Sequence, residues 1–110
     1  MIDPEYMCDK HILGEHGELH KHRHIFEKQH SISGRIDPIV QIEPMFLKQR
    51  HDALVEEMEA RGMNHDSPFA WVNVSYLPHS ERMAQVDMEY NIQDLADRCP
   101  ACAELLQDIM

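Results

Sequence analysis

The sequence predicts an all-α protein: one compact domain, residues 1–110, with three to four helices and long irregular connections. Apolar residues recur with the three- and four-residue spacing of a helix in three separate stretches of the chain. Prolines and glycines separate these stretches and lie where helices usually begin and end. A chain of 110 residues can bury a modest core without an obligatory disulfide or metal.

The first helix is predicted in the stretch from Cys8 to Phe26, with a start as early as Pro4 or Glu5. Its apolar face has a seven-residue spacing and consists of Ile12, Leu19 and Phe26. The glycines at positions 14 and 17 each cost roughly 1 kcal/mol relative to alanine in a helix interior. Because the periodicity continues through both glycines, we expect one continuous or kinked helix.

A stripe of titratable side chains lies beside this apolar face and consists of His11, Glu15, Glu18 and His22. The other side of the same helix carries a row of imidazoles, which are His16, His20 and His24. Burial and neighbouring charges shift pKa values at the edge of a core, as active sites require. The stripe is therefore a candidate active site, a candidate metal site within a helical domain, or an ordinary solvated face.

The middle helix is predicted from Pro44 to Arg61, and Gly62 after it is typical of a C-terminal cap. Its buried face is predicted to consist of Leu47, Leu54 and Met58. Arg50 and His51 lie at the margin of that face. For His51 the pattern leaves two interpretations open, a core histidine and an active-site residue.

Three connecting segments are predicted to be irregular. Residues 31–44 form a loop and residues 62–68 a turn-rich segment, because both are rich in Gly, Pro, Ser and Asp. Residues 69–77 are interpreted as an extended segment packed across the helices, with a short strand as the alternative.

A last helical region is predicted from Glu81 or Asp87 to Met110. Its apolar spacing involves Ile92, Leu95, Cys99, Cys102 and Leu106. Pro100 either interrupts this helix or opens a second one.

The composition restricts the binding partners and the cellular location that we expect for this protein. The chain carries 20 acidic and 10 basic residues, a net charge of −10. Phosphate binding depends on Lys and Arg, so this charge weakens binding to DNA, although basic residues cluster locally at 21–28 and 48–50. No apolar run reaches the roughly 18–20 residues of a membrane span, and no basic-then-apolar leader is present. We expect a cytoplasmic monomer or weak dimer without a membrane partner.

The three cysteines are an odd count, which favours free thiols or a metal site over disulfides. Cys8 and His11 form a C-x2-H pair, and Cys99 and Cys102 form a C-x2-C pair. Together they would supply the four ligands of a tetrahedral structural zinc site. The alternative is that the last two cysteines are small apolar core residues. A zinc site and the titratable stripe would compete for His11.

Four places in the chain carry a family pattern. They are Asp3-Pro4 followed by DKHILGEHGEL at 9–19, the segment 46–64 ending in RGMN, YLPH at 76–79, and LADR at 95–98. With these segments the chain resembles the pyrimidine dimer DNA glycosylase family, the phage-type endonuclease V that excises ultraviolet photoproducts. The resemblance covers most of the chain, and its first block is the most specific.

The resemblance implies an all-α DNA glycosylase and abasic-site lyase that needs no cofactor for its chemistry. Its nucleophile is an N-terminal amine that attacks the sugar C1′ and forms an imine; Ile2 is too bulky for ordinary Met removal, so Met1 would supply that amine. The family's essential glutamate matches Glu18, which would stabilise the developing sugar cation and transfer protons, and its histidine matches His11. The side chains expected to bind the distorted or flipped substrate are Glu15, His16, His22, Arg50 and His51.

The chain also departs from the family pattern. It begins a few residues later, Gly17 replaces an arginine beside the essential glutamate, and its last residues are acidic instead of aromatic and basic. These differences indicate a divergent, acidic member whose substrate can differ. A metal-binding helical protein and a non-catalytic interaction protein on the same fold are the alternative functions.

Overall fold

The computed structural model describes residues 1–64 and 68–110. Its helices are α1 (Asp9–Glu27), α2 (Ser33–Ile36), α3 (Leu47–Ala60), α4 (His79–Arg82), α5 (Met88–Arg98) and α6 (Pro100–Leu106), with 3-10 turns at Pro4–Tyr6 and Pro44–Phe46. The described part of the chain contains no β-strand, so the predicted all-α class is confirmed. The alternative of a short strand within 69–77 is wrong, and the predicted turn at 62–68 lies partly outside the described residues.

Helix α1 runs without interruption through both glycines. Its buried residues are Ile12, Leu19 and Phe26, which confirms the predicted apolar face. A Cβ added at Gly14 or Gly17 would meet no other atom within 4 Å. No neighbouring segment therefore requires a glycine at either position, and the helix is held by its apolar face rather than by local propensity.

Helix α3 ends in a Schellman motif centred on Gly62, which has a φ of +78°. The N–H of Met63 donates to the carbonyl of Met58 at 2.9 Å, and the N–H of Gly62 donates to that of Glu59 at 3.0 Å. The buried residues of the helix are Leu47, Arg50, His51, Leu54 and Met58. The predicted apolar face is thus confirmed, and it carries two polar side chains into the interior.

The last helical region consists of two helices. Asp87 caps the first, because its side chain accepts a hydrogen bond from the N–H of Tyr90 at 3.1 Å. Cys99 is extended, and Pro100 then opens α6 as its first residue. Of the two interpretations of Pro100, the second is confirmed. The predicted end at Met110 was wrong, because α6 ends at Leu106.

The helices pack so that the two ends of the chain meet. Helix α1 packs against α3, α5 against α6, and α6 against the N-terminal 3-10 turn. Phe69, Val74 and Leu77 are buried in the core, which agrees with an extended segment lying across the helices. The packing brings Met1 and Cys102 close to the first half of α1.

None of the described helices is both long and apolar enough to cross a membrane.

Gly17→Ala should raise the free energy of unfolding by about 0.5–1 kcal/mol, because alanine favours a helix interior and the new Cβ has open space. Gly62→Ala is the matched control with the opposite sign. Its backbone conformation strains any Cβ, so that variant should lose about 1 kcal/mol. Urea denaturation measures both changes, and a loss of stability in Gly17→Ala would contradict the open environment.

Candidate active site and metal centres

Arg50 is buried between α3, α1 and the start of the chain. Its Nε and Nη2 donate to the two carboxylate oxygens of Glu15, with 2.9 Å between Nη2 and Oε1. Nη1 donates to the carbonyl of Ile2, and Nη2 lies 3.3 Å from the sulfur of Met7. The side chain of Arg50 therefore joins the first residues of the chain to Glu15 in the titratable stripe of α1.

The α-amino group of Met1 lies near the carboxylate of Glu43. Its nitrogen lies 4.0 Å from Oε2 of Glu43, and the same oxygen accepts the N–H of Val86 at 2.9 Å. Met1, Glu15 and Glu18 line both a small cavity of about 30 Å³ and the adjoining cleft of about 390 Å³. Met1 and two glutamates thus border one space that a small part of a ligand could enter.

Basic side chains lie on both sides of Glu18. Lys10 and Arg98 line the 390 Å³ cleft, and Lys21 and Arg35 line a neighbouring groove of about 320 Å³. Glu18 borders both spaces. Sequence reasoning did not assign Arg35 or Arg98 to the site, because their separation along the chain gives no local signal.

His22 lies between the small cavity and the groove. Burial and then the charge of Arg35 lower its pKa, although Glu15 acts in the opposite direction. Nη1 of Arg35 is 3.4 Å from Nε2 of His22. The environment thus favours the neutral imidazole, which can accept a hydrogen bond.

His11 lies among the three thiols. Its Nδ1 is 3.2 Å from Sγ of Cys8 and 3.6 Å from Sγ of Cys102, and the sulfurs of Cys8 and Cys99 are 3.9 Å apart. One ligand atom from each of these four residues lies within 4.8 Å of the others. All three cysteines are free of disulfides. The two sequence pairs, whose members lie 91 positions apart along the chain, therefore meet as a Cys3His donor set, which is a structural zinc combination.

The surroundings of these thiols differ from one another. The backbone N–H of Cys102 lowers the pKa of the Cys99 thiol, against the opposing effect of burial. Burial raises the pKa of the Cys102 thiol to about 12. The N–H of Cys8 also points at Sγ of Cys102, at 3.3 Å. Backbone N–H groups that donate to sulfur are the usual outer partners of thiolate ligands.

The predicted catalytic and substrate-binding residues other than His11 lie in two separate places. Met1, Glu15, Glu18, His22 and Arg50 share the small cavity. His16 and His51 instead lie together where α1 meets α3, with ring centroids 5.0 Å apart. The predicted substrate contacts therefore divide between the small cavity, which Glu15, His22 and Arg50 line, and the interface of α1 with α3, where His16 and His51 lie.

A comparison with protein families identifies the chain. The family model of pyrimidine dimer DNA glycosylases matches residues 1–70. The chain belongs to this family. No curated protein and no solved structure gives a significant match.

The segment that matches the pyrimidine dimer DNA glycosylases contains all five predicted site residues that line the small cavity. Met1, Glu15, Glu18, His22 and Arg50 all lie within residues 1–70. Cys99 and Cys102 lie beyond the matched segment. The cavity is thus a feature of the family segment, whereas the Cys3His group also needs residues outside it.

Arg50→Met should lower the free energy of unfolding by about 3 kcal/mol, because it removes the partner of the half-buried Glu15 carboxylate. Asp94→Ala is the control. It removes an exposed pair with Arg98, 3.0 Å apart, and should cost less than about 1 kcal/mol. Urea denaturation measures both variants. A loss in Arg50→Met as small as that of the control would contradict a structural role for the guanidinium.

Proposed function

We propose that this protein is a DNA glycosylase and abasic-site lyase that acts on damaged or modified pyrimidines through the amine of Met1 and the carboxylate of Glu18. The observation that carries the proposal is that both residues border one cavity, within the segment that matches the family. Arg50 supports it by holding Ile2, the residue after the amine, against α1.

The proposed chemistry assigns one role to each group. The neutral amine nitrogen bonds to C1′ of the nucleotide as the bond from C1′ to the base breaks, and the base leaves with the proton that the nitrogen releases. The bond from C1′ to the ring oxygen then breaks, the ring oxygen takes up a proton from solvent, and the open sugar is an iminium. The carboxylate of Glu18 stabilises positive charge on the sugar and removes the C2′ proton, after which the 3′-phosphate leaves. Water then hydrolyses the imine and releases the amine. No cofactor takes part in this sequence.

DNA is the proposed partner. Lys10 and Arg98 on one side of Glu18, and Lys21 and Arg35 on the other, are suited to contact phosphates that flank the target nucleotide. The net charge of −10 opposes binding at a distance. We therefore expect weak affinity for DNA that falls steeply with added salt.

Borohydride trapping on DNA with a single abasic site tests this function. The wild-type protein should give a covalent adduct, and a form whose α-amino group has been carbamylated should give none. Glu18→Gln should lower the rate of trapping or strand cleavage by about 100-fold or more, because it removes the proton-transferring group. His24→Gln is the matched control, since His24 is exposed on the same helix.

Two results would contradict the proposal. One is the absence of an adduct at high protein concentration when mass spectrometry shows an intact N-terminus. The other is equal activity in Glu18→Gln and His24→Gln. Either result would favour a non-catalytic interaction protein on the same fold.

A second proposed function is the binding of structural zinc by Cys8, His11, Cys99 and Cys102. Three thiols and one imidazole within 4.8 Å support it, since structural zinc prefers such donors in tetrahedral arrangement. Of the two roles that the sequence left open for His11, its distance of 3.2 Å from Sγ of Cys8 favours that of a ligand. Zinc here would fasten the start of α1 to the start of α6 and so support the cleft.

The double variant Cys99→Ser/Cys102→Ser should lose the zinc of the Cys3His group and unfold at a lower temperature than the wild type, because half of the ligands are gone. Reconstitution with Co²⁺ provides the specific measurement. The wild type should show a thiolate-to-cobalt charge-transfer band, and the double variant should not. Glu18→Gln should keep the band, which separates metal binding from catalysis. A wild-type protein that takes up cobalt without that band would contradict the site.

A further inference from the structure

A second group of metal-binding side chains lies where α1 packs against α3. His16 and His20 are one helical turn apart on α1, and His51 comes from α3. The distances between ring centroids are 4.7 Å for His16 and His20, 5.0 Å for His16 and His51, and 5.2 Å for His20 and His51. One ring nitrogen from each residue lies within 4.8 Å of the other two.

A bound metal ion requires the three nitrogens to lie closer together than this limit of 4.8 Å. Zinc–nitrogen bonds of about 2.0–2.1 Å in a tetrahedron place neighbouring nitrogens roughly 3.4 Å apart. Since His16 and His20 are only half-buried, rotation about their side-chain torsions can shorten the remaining gap. His51 is 3% exposed and would be the fixed ligand.

The orientation of His51 is set by a carboxylate. Its Nδ1 lies 3.1 Å from Oδ1 of Asp52, and Nζ of Lys48 donates to the two oxygens of Asp52 at 3.1 and 3.3 Å. A carboxylate on Nδ1 leaves Nε2 as the ligand atom, which is the usual arrangement around metal-bound histidines. The Nε2 atoms of His20 and His51 are both buried at this interface.

Phe69 forms an apolar wall beside the three imidazoles. Its ring stacks on that of His51, with centroids 4.9 Å apart, and meets that of His20 edge-on at 5.4 Å. An apolar wall limits the access of water and restricts the rings to a few orientations. The imidazole of His51 is thus held by Phe69 on one side and by Asp52 on another.

We propose that His16, His20 and His51 bind a divalent first-row transition ion, with zinc as the expected metal. Imidazole suits zinc and its neighbours in the series. Three protein ligands leave one coordination position for water or an exogenous ligand, as in catalytic rather than structural zinc sites. The proposal depends neither on the glycosylase chemistry nor on the Cys3His group, since it shares no residue with either.

Equilibrium dialysis of the full-length, tag-free protein against zinc tests the site. The wild type should bind one more zinc per chain than His20→Gln, whereas His24→Gln, one turn further along α1 and exposed, should equal the wild type. The extra equivalent, loaded as Co²⁺ into zinc-bound protein, should show visible ligand-field bands without a thiolate charge-transfer band. Circular dichroism establishes that each variant is folded, and His16→Gln replaces His20→Gln if the latter is not.

Asp52 is proposed as a positioning residue. Asp52→Asn should weaken zinc binding by about 10–100-fold, because the amide holds the imidazole of His51 less firmly. Glu56→Gln, an exposed neighbour on α3, is the matched control and should bind as the wild type does.

A measurement on the unmodified protein completes the test. Long-range proton–nitrogen spectra should show zinc-dependent shifts of the ring nitrogens of all three residues. Equal zinc stoichiometry in wild type and His20→Gln would overturn the proposal. It would also be overturned if the shifts were confined to exposed histidines such as His24 and His30, since that pattern would indicate adventitious surface binding.

Discussion

The guanidinium of Arg50 is a positive charge placed in the interior, and the position of the chain's first residues depends on it. Burial of an ion costs several kcal/mol unless its hydrogen-bonding groups are satisfied. Here both oxygens of Glu15 and the carbonyl of Ile2 supply partners. Because the Ile2 carbonyl is one of those partners, movement of the first residues away from Arg50 would leave part of its buried positive charge without a hydrogen-bond acceptor. The same interaction that joins α1 to α3 therefore also positions the proposed nucleophile.

Helix α1 combines three faces that serve different purposes. Its apolar face packs into the core through residues such as Leu19, one polar edge presents Glu15 and Glu18 to the cavity, and the opposite edge presents His16 and His20 to α3. The periodicity of an α-helix allows this division, since residues three or four apart share a side and residues two apart do not. The two glycines of the helix occupy open space, so the side chains, not close backbone contacts, determine what each face does.

The parts of the fold that sequence reasoning could predict are those set by local spacing. The apolar spacing of Ile12, Leu19 and Phe26 is enough to predict the buried face of α1, and Gly62 is enough to predict the end of α3. Contacts between segments that are far apart in the sequence could be recognised only in the structure. The pairing of Arg50 with Glu15 spans 35 positions, and nothing in the local pattern of either helix indicates it.

The cluster of His16, His20 and His51 also could not be predicted from local spacing alone. The sequence places His16 and His20 on one side of α1, yet their meeting with His51 depends on the relative rotation of α1 and α3. Helix packing fixes that rotation through side-chain ridges, and a single sequence does not reveal it. The Cys3His group was easier to foresee, because each of its halves is a recognisable pair of ligands. The sequence could predict the donors but not that the chain's ends come close enough for them to meet.

The acidic composition and the proposed action on DNA are compatible because charge acts locally in salt. At physiological ionic strength the screening length is about 8 Å, so exposed carboxylates farther than that from the cleft contribute little to the potential within it. The groups nearest the reacting carboxylate decide the interaction, and Lys10, Arg98, Lys21 and Arg35 border the two spaces that Glu18 joins. Undamaged duplex would meet the same few phosphate contacts, which carry no sequence or damage information. Selectivity would then come from a target nucleotide that is easily extruded into the cleft of about 390 Å³, since the phosphate contacts are too few to hold DNA that does not insert a nucleotide.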